Sequence, residues 1–134
     1  MKGNHRIIFI TLLCIYLTAV ALLCFLRPSS LPEVEIKTFL GLPIDKVLHF
    51  LMFLPYPILA GMSFISMKNG FLRSIVILTV VLTAGIGMAY GTELIQGESG
   101  YRAYEIADFH ADLAGISAGS IIMLAYMTYY RLKK

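Results

Sequence analysis

Residues 74–95 read SIVILTVVLTAGIGMAYGTELI, and the only charged side chain in that stretch is Glu93, close to its end. Coiled as an α-helix at about 1.5 Å per residue, the stretch is about 33 Å long, enough to cross about 30 Å of hydrocarbon. Three further runs share this character, at residues 7–26, 47–66 and 106–130. Breakers separate them: Arg27, Pro28, Ser29 and Ser30 after the first, Lys68, Asn69 and Gly70 between the second and third, and Gly97, Glu98, Ser99 and Gly100 after the third. The sequence therefore predicts an all-α polytopic membrane protein, a four-helix transmembrane bundle forming one domain over residues 1–134.

Composition excludes the alternatives. The chain is 58% hydrophobic and 14% charged, with a mean hydropathy of +0.79. Soluble domains carry about 25% charged residues, so these side chains cannot clothe a water-facing surface. The net charge of +3 is scattered, with no basic patch interleaved with aromatics, and no nucleic-acid partner is expected. Cys14 and Cys24 both fall in the first run, about 15 Å apart along one helix, too far for a disulfide; they read as small apolar residues. A cleaved signal peptide is the other reading of the first run. Its apolar length is long for one, and Leu23 before Cys24 is wrong for lipoprotein processing, so a retained helix is expected.

Lys and Arg predict the orientation. Lys2, Arg6, Lys68, Arg73, Arg131, Lys133 and Lys134 fall on one side, against Arg27, Lys37, Lys46 and Arg102 on the other. Both termini are thus expected in the cytoplasm. The acids, which steer topology only weakly, sort with the same division: none of the eight lies on the seven-cation side.

Helical rise then gives depth. Counting 20 residues from Arg73 to Glu93, 19 from Lys68 back to His49 and 19 from Arg131 back to Asp112 brings all three to about 28–30 Å, the outer boundary of the apolar layer. Spacing gives facing: Asp45 and His49, Glu93 and Gln96, and Asp108 and Asp112 each share one side of a helix. The Asp108–Asp112 stripe continues into Gly115 and Gly119, and Gly85 and Ala89 lead to Glu93. Small residues at this spacing let membrane helices approach closely. Gly87 and Gly91 repeat the spacing on the third run. Pro55 and Pro57 bend the second helix. The bend is either a packing kink or the wall of a funnel, with Tyr56 below His49.

Charged groups near hydrocarbon pair or line a wet cavity. The bland reading is structural ion pairing, with Lys46 and Arg102 neutralising two of Asp45, Glu93, Asp108 and Asp112. Against it, four carboxylates, His49 and Gln96 converge where only two cations are at hand. The expected ligand-binding set is therefore Asp45, Lys46, His49, Glu93, Gln96, Arg102, Asp108 and Asp112. No cofactor is expected, although carboxylates with one imidazole also suit a divalent metal. His110 points about 200° around the helix from Asp108 and stands apart. His49, Glu93 and Asp108 are the candidates for acid–base catalysis, with no nucleophile motif beside them.

Three pieces of sequence together resemble the VanZ-like family, small membrane proteins named for a component linked to teicoplanin resistance. Asp45-Lys46-Val47-Leu48-His49-Phe50 resembles the family's D-K-x-x-H-F. Glu93-Leu94-Ile95-Gln96 resembles its E-x-x-Q. Arg102, then Asp108 and Ala111-Asp112-Leu113-Ala114-Gly115, resembles its R…D-x-x-x-N-x-x-G. The resemblance covers about residues 40–125 and leaves the first helix as a generic anchor. Asp112 departs from the family's usual Asn and adds a negative charge. The resemblance implies a cell-envelope role and reduced sensitivity to some lipoglycopeptide antibiotics. Three functions follow as expectations: binding of a membrane lipid headgroup or a lipid-linked cell-wall precursor at the outer face; an intramembrane hydrolase or transferase acting on a lipid-linked substrate; or a scaffold for a membrane-protein partner. In the first, Lys46 and Arg102 would meet phosphate, and the carboxylates would meet amines, sugar hydroxyls or a bridging metal.

Overall fold

In the structure, a computed structural model, residues 3–25, 38–39, 41–68, 70–98 and 105–133 are described. Its helices are α1 (Gly3–Phe25), α2 (Ile44–Phe53), α3 (Pro55–Phe64), α4 (Phe71–Glu98) and α5 (Ile106–Leu132). Four spans are long and apolar enough to cross a bilayer, α2 and α3 forming one of them. The expected run at 47–66 begins earlier, at Ile44, so Asp45 and Lys46 belong to the helix. The runs at 74–95 and 106–130 extend to Glu98 and Leu132. Helices extend past their apolar cores because the backbone hydrogen-bond ladder continues into the headgroup layer, where polar side chains are solvated. Among the described residues the helical plan has one addition, a hairpin of β1 (Thr38–Phe39) and β2 (Leu42–Pro43), paired antiparallel with Thr38 opposite Pro43. Gly41 between them has φ +80°, a conformation that costs other L residues strain.

The bend in the second span sits at Leu54. Pro55 and Pro57 withhold the N–H groups that would close the ladder on the carbonyls of Leu51 and Phe53. Leu54 nevertheless stays helical and donates to the Phe50 carbonyl at 3.0 Å, so the chain bends without unwinding. The consequence is lateral. Below the bend α3 packs along α1, whereas above it α2 leans on α5 and draws away from α1.

Two glycines explain why α2 leans that way. A Cβ on Gly115 would come within 2.3 Å of the Phe50 carbonyl oxygen, and one on Gly119 within 2.3 Å of that of Leu54. Helix α5 therefore lies directly on the backbone of the bend, a distance that only glycine permits. The expected helix contact is present, and its partner is the second span. The matching spacing at Gly87 and Gly91 makes no such contact; a Cβ at either would meet nothing within 4 Å. On α4 the packed stripe is instead Gly85, Ala89 and Glu93, all buried.

The core divides by depth. Phe53, Ala89 and Ile116 are packed together one turn below the polar residues. At the opposite end Ile65, Met67, Leu78, Met123 and Met127 fill the space between α3, α4 and α5. The large apolar residues left exposed, such as Leu72, Val80 and Ile121, lie on the outward faces of the spans and fit a lipid-facing surface.

Candidate functional site

The glycine seam sets the register of the site. With Gly115 against Phe50, the turn before brings Asp112 to His49, and the turn before that brings Asp108 to Lys46. Nδ1 of His49 lies 2.9 Å from Oδ1 of Asp112 and 3.9 Å from Oε1 of Glu93, while its Nε2 lies 3.5 Å from Oδ2 of Asp108. His49, Glu93 and Asp112 are buried, the last two at 1% and 0% exposure. Three helices thus meet at one imidazole.

One turn outward, the Lys46 ammonium holds three carboxylates. It lies 2.7 Å from Asp45 and 2.6 Å from Glu105, and it donates to Asp108. Asp108 joins the two layers, with one oxygen on Lys46 and the other facing His49. The ion-pairing alternative therefore holds for the outer layer. For the inner one, no Lys or Arg among the described residues pairs with Glu93 or Asp112, and Arg102, the second cation of that reading, lies outside them. Among the described residues, Oε1 of Glu93 and Oδ2 of Asp112 are buried without a hydrogen-bond partner.

A cavity of about 400 Å³ opens beside this cluster, in the gap where α2 leaves α1. Its wall is apolar, with Ala19, Val20 and Leu23 from α1 facing Leu48, Leu51 and Met52 from α2. Asp45, His49 and Gln96 give one end of it polar character. The Tyr16 hydroxyl, also in the lining, donates to the Met52 carbonyl in the last turn before the bend. The Gln96 amide donates to the Cys24 carbonyl at 3.4 Å and ties α4 to the end of α1.

Of the residues expected from sequence, Asp45, Lys46, His49, Glu93, Asp108 and Asp112 are brought together. Gln96 stands beside them at the cavity, and Arg102 lies outside the described residues. His110 is exposed on the far side, beside Phe109, as its helical angle predicts. Tyr56 packs against Gly85, which fits the packing-kink reading of the bend, and it is not among the residues that line this cavity. The first helix is more than an anchor, since it supplies half the cavity wall. Glu105 and Tyr16 were missed. Glu105 sits just before the expected helix at 106–130, where helical spacing assigns no face, and a lone Tyr in an apolar run reads as an ordinary membrane residue. Cys14 is exposed and Cys24 buried, and neither forms a disulfide among the described residues.

Chemically, the inner layer offers one imidazole and several carboxylate oxygens in a dry setting. Such a group accepts hydrogen bonds, takes up cations, or moves a proton from an oriented histidine. A scan of protein-family models, a search of curated proteins and a search of solved structures each find no significant match to this chain.

Proposed function

We propose that this chain is a multi-pass cell-membrane protein with both termini in the cytoplasm. In this reading it binds an amphipathic lipid, either a membrane lipid by its headgroup or a lipid-linked cell-wall precursor, at the outer face. The observation that carries it is the cavity between α1 and α2, apolar along its wall and polar at the His49 end. Its volume of about 400 Å³ falls within the range of small-molecule sites, about 300–1,000 Å³. A hydrocarbon chain fits the apolar wall, and a polar head fits the end beside Asp45, His49 and Gln96. The VanZ-like resemblance, carried by the residues quoted above, agrees with an envelope role and with an effect on teicoplanin-type susceptibility.

The charge balance narrows the ligand. Lys46 is held by three carboxylates, so its charge is already balanced without phosphate. The oxygens facing inward are acceptors, and they favour a head rich in donors, such as sugar hydroxyls or amines. Titrating labelled lipids onto nanodisc-embedded protein tests this reading. Ala19→Trp fills the cavity and is expected to weaken binding at least ten-fold, whereas Leu94→Trp, on the exposed face of α4, leaves it unchanged. Equal binding by Ala19→Trp and wild type, or no preference among headgroups, would contradict it.

One contact favours a catalytic variant of the same reading. His49 stands between Asp112 and Asp108, as a general base does when a carboxylate fixes its orientation. Turnover of a lipid-linked substrate, lost in His49→Gln, would make the protein a hydrolase or transferase; binding without turnover would leave it a binding protein.

A further inference from the structure

The two acidic layers differ in how their charge is met. The outer one, Asp45, Glu105 and Asp108, is closed by Lys46 and partly exposed. The inner one, His49, Glu93 and Asp112, is fully buried and has no Lys or Arg among the described residues. We infer that the inner group is a binding site for a divalent cation of the zinc or manganese type, held by Nδ1 of His49, Oε1 of Glu93 and a carboxylate oxygen of Asp112.

Four observations support this. First, one donor atom from each of the three residues lies within 4.8 Å of the others. A metal with bonds of about 2.1 Å holds its donors about 3.0–3.4 Å apart. The distances from Nδ1, 2.9 Å to Asp112 and 3.9 Å to Glu93, bracket that span. Second, Oε1 of Glu93 is buried, without a hydrogen-bond partner among the described residues, and turned toward the same nitrogen. Buried carboxylate oxygens are costly unless something meets them, and an ion at Nδ1 meets Glu93 and Asp112 at once. Third, the other imidazole nitrogen faces Asp108 at 3.5 Å, and Asp108 is in turn fixed by Lys46. A carboxylate behind the far nitrogen is the usual way a metal-bound histidine is oriented. Fourth, one nitrogen with two carboxylates suits borderline metals better than calcium or magnesium, which favour all-oxygen shells. Three protein donors also leave a coordination position open.

Binding replaces the proton between His49 and Asp112 with the ion, so protons are released on uptake. Occupancy does not depend on the lipid reading; only a role of the ion toward a headgroup in the cavity rests on it. The test therefore uses metal alone. The full chain, purified in lipid-free detergent and stripped with a chelator, is titrated with Zn²⁺, Mn²⁺ and Mg²⁺. One equivalent of Zn²⁺ or Mn²⁺ per chain is expected, with Mg²⁺ weaker. Glu93→Gln should weaken binding about ten- to hundred-fold, whereas Glu98→Gln on the exposed end of α4 leaves it intact. Because a core variant can fail to fold, a second measurement uses the wild-type fold. Pulsed EPR of bound Mn²⁺ should show an imidazole nitrogen that persists in His110→Gln, an exposed position, and is lost in His49→Gln. No stoichiometric uptake, uptake unaltered by Glu93→Gln, or a manganese signal without nitrogen coupling would each overturn the assignment.

Discussion

The two ends of the bundle are fastened in different ways. At the end that holds His49, helices meet backbone to backbone through Gly115 and Gly119, and the polar groups that follow are charged and buried. At the other end Met123 and Met127 fill the gaps, and cations meet neutral oxygens. Arg6 donates to the Ser63 carbonyl at 3.2 Å, and Arg131 donates to the Ser74 hydroxyl at 2.8 Å while stacking over Phe71. Methionine is flexible and tolerates rearrangement, and a neutral acceptor satisfies a cation at little desolvation cost. A glycine seam has no such slack, and charge next to hydrocarbon is costly to keep. The methionine-filled end closes a structure. The glycine-seamed end fixes side chains in position at a cost in stability, as functional sites do.

A matched pair of substitutions tests this contrast where the effect is largest. Gly115→Ala and Gly61→Ala each add one methyl group. The first drives it into the Phe50 carbonyl; the second meets only the side chain of Met123. Reversible unfolding in mixed micelles should show a loss of about 3 kcal/mol for Gly115→Ala and about 1 kcal/mol or less for Gly61→Ala. Equal losses would mean that the two seams are equally stiff.

Lys46→Met comes next. It leaves Asp45, Glu105 and Asp108 without their shared cation, and a loss of about 2 kcal/mol is expected in the same assay. Glu93→Gln should act in the opposite direction. It keeps the side chain's shape, removes one buried charge, and should raise the stability of metal-free protein by about 1 kcal/mol. A destabilised Glu93→Gln would place Glu93 among the structural fasteners. Arg6→Gln at the far end is the smallest, with a loss of about 0.5 kcal/mol read from the thermal midpoint, since one partly exposed hydrogen bond is involved.

Much of the polar end was legible in the sequence because depth and facing are arithmetic. Rise per residue put His49, Glu93 and Asp112 at one level, and spacing of three and four gave each its side. Those rules act within a single helix. What they could not supply was which helix each face would meet. Gly87 and Gly91 have the same spacing as Gly115 and Gly119, yet no helix lies against them, because Gly85 and Ala89 occupy the contact face of α4. The part played by α1 was hidden for a related reason. Tyr16 and Cys24 matter through a hydroxyl aimed at Met52 and a carbonyl reached by Gln96. The first depends on how far α2 leans, which is set by the bend at Leu54 and the glycines of α5, and the second on how α4 sits against the end of α1. Spacing within α1 carries no record of either.

The bend stands beside a cavity of about 400 Å³ whose polar end is the His49 cluster, and the proposal is that an amphipathic lipid occupies it. The most direct test is a lipidic-cubic-phase crystal structure of the full chain grown with native lipid extract. The predicted result is one continuous amphipathic density between α1 and α2, its polar end within hydrogen-bond distance of His49, Asp45 or Gln96. A gap closed by Tyr16 and Leu23 repacking onto Leu48 and Met52, with no density between them, would contradict it.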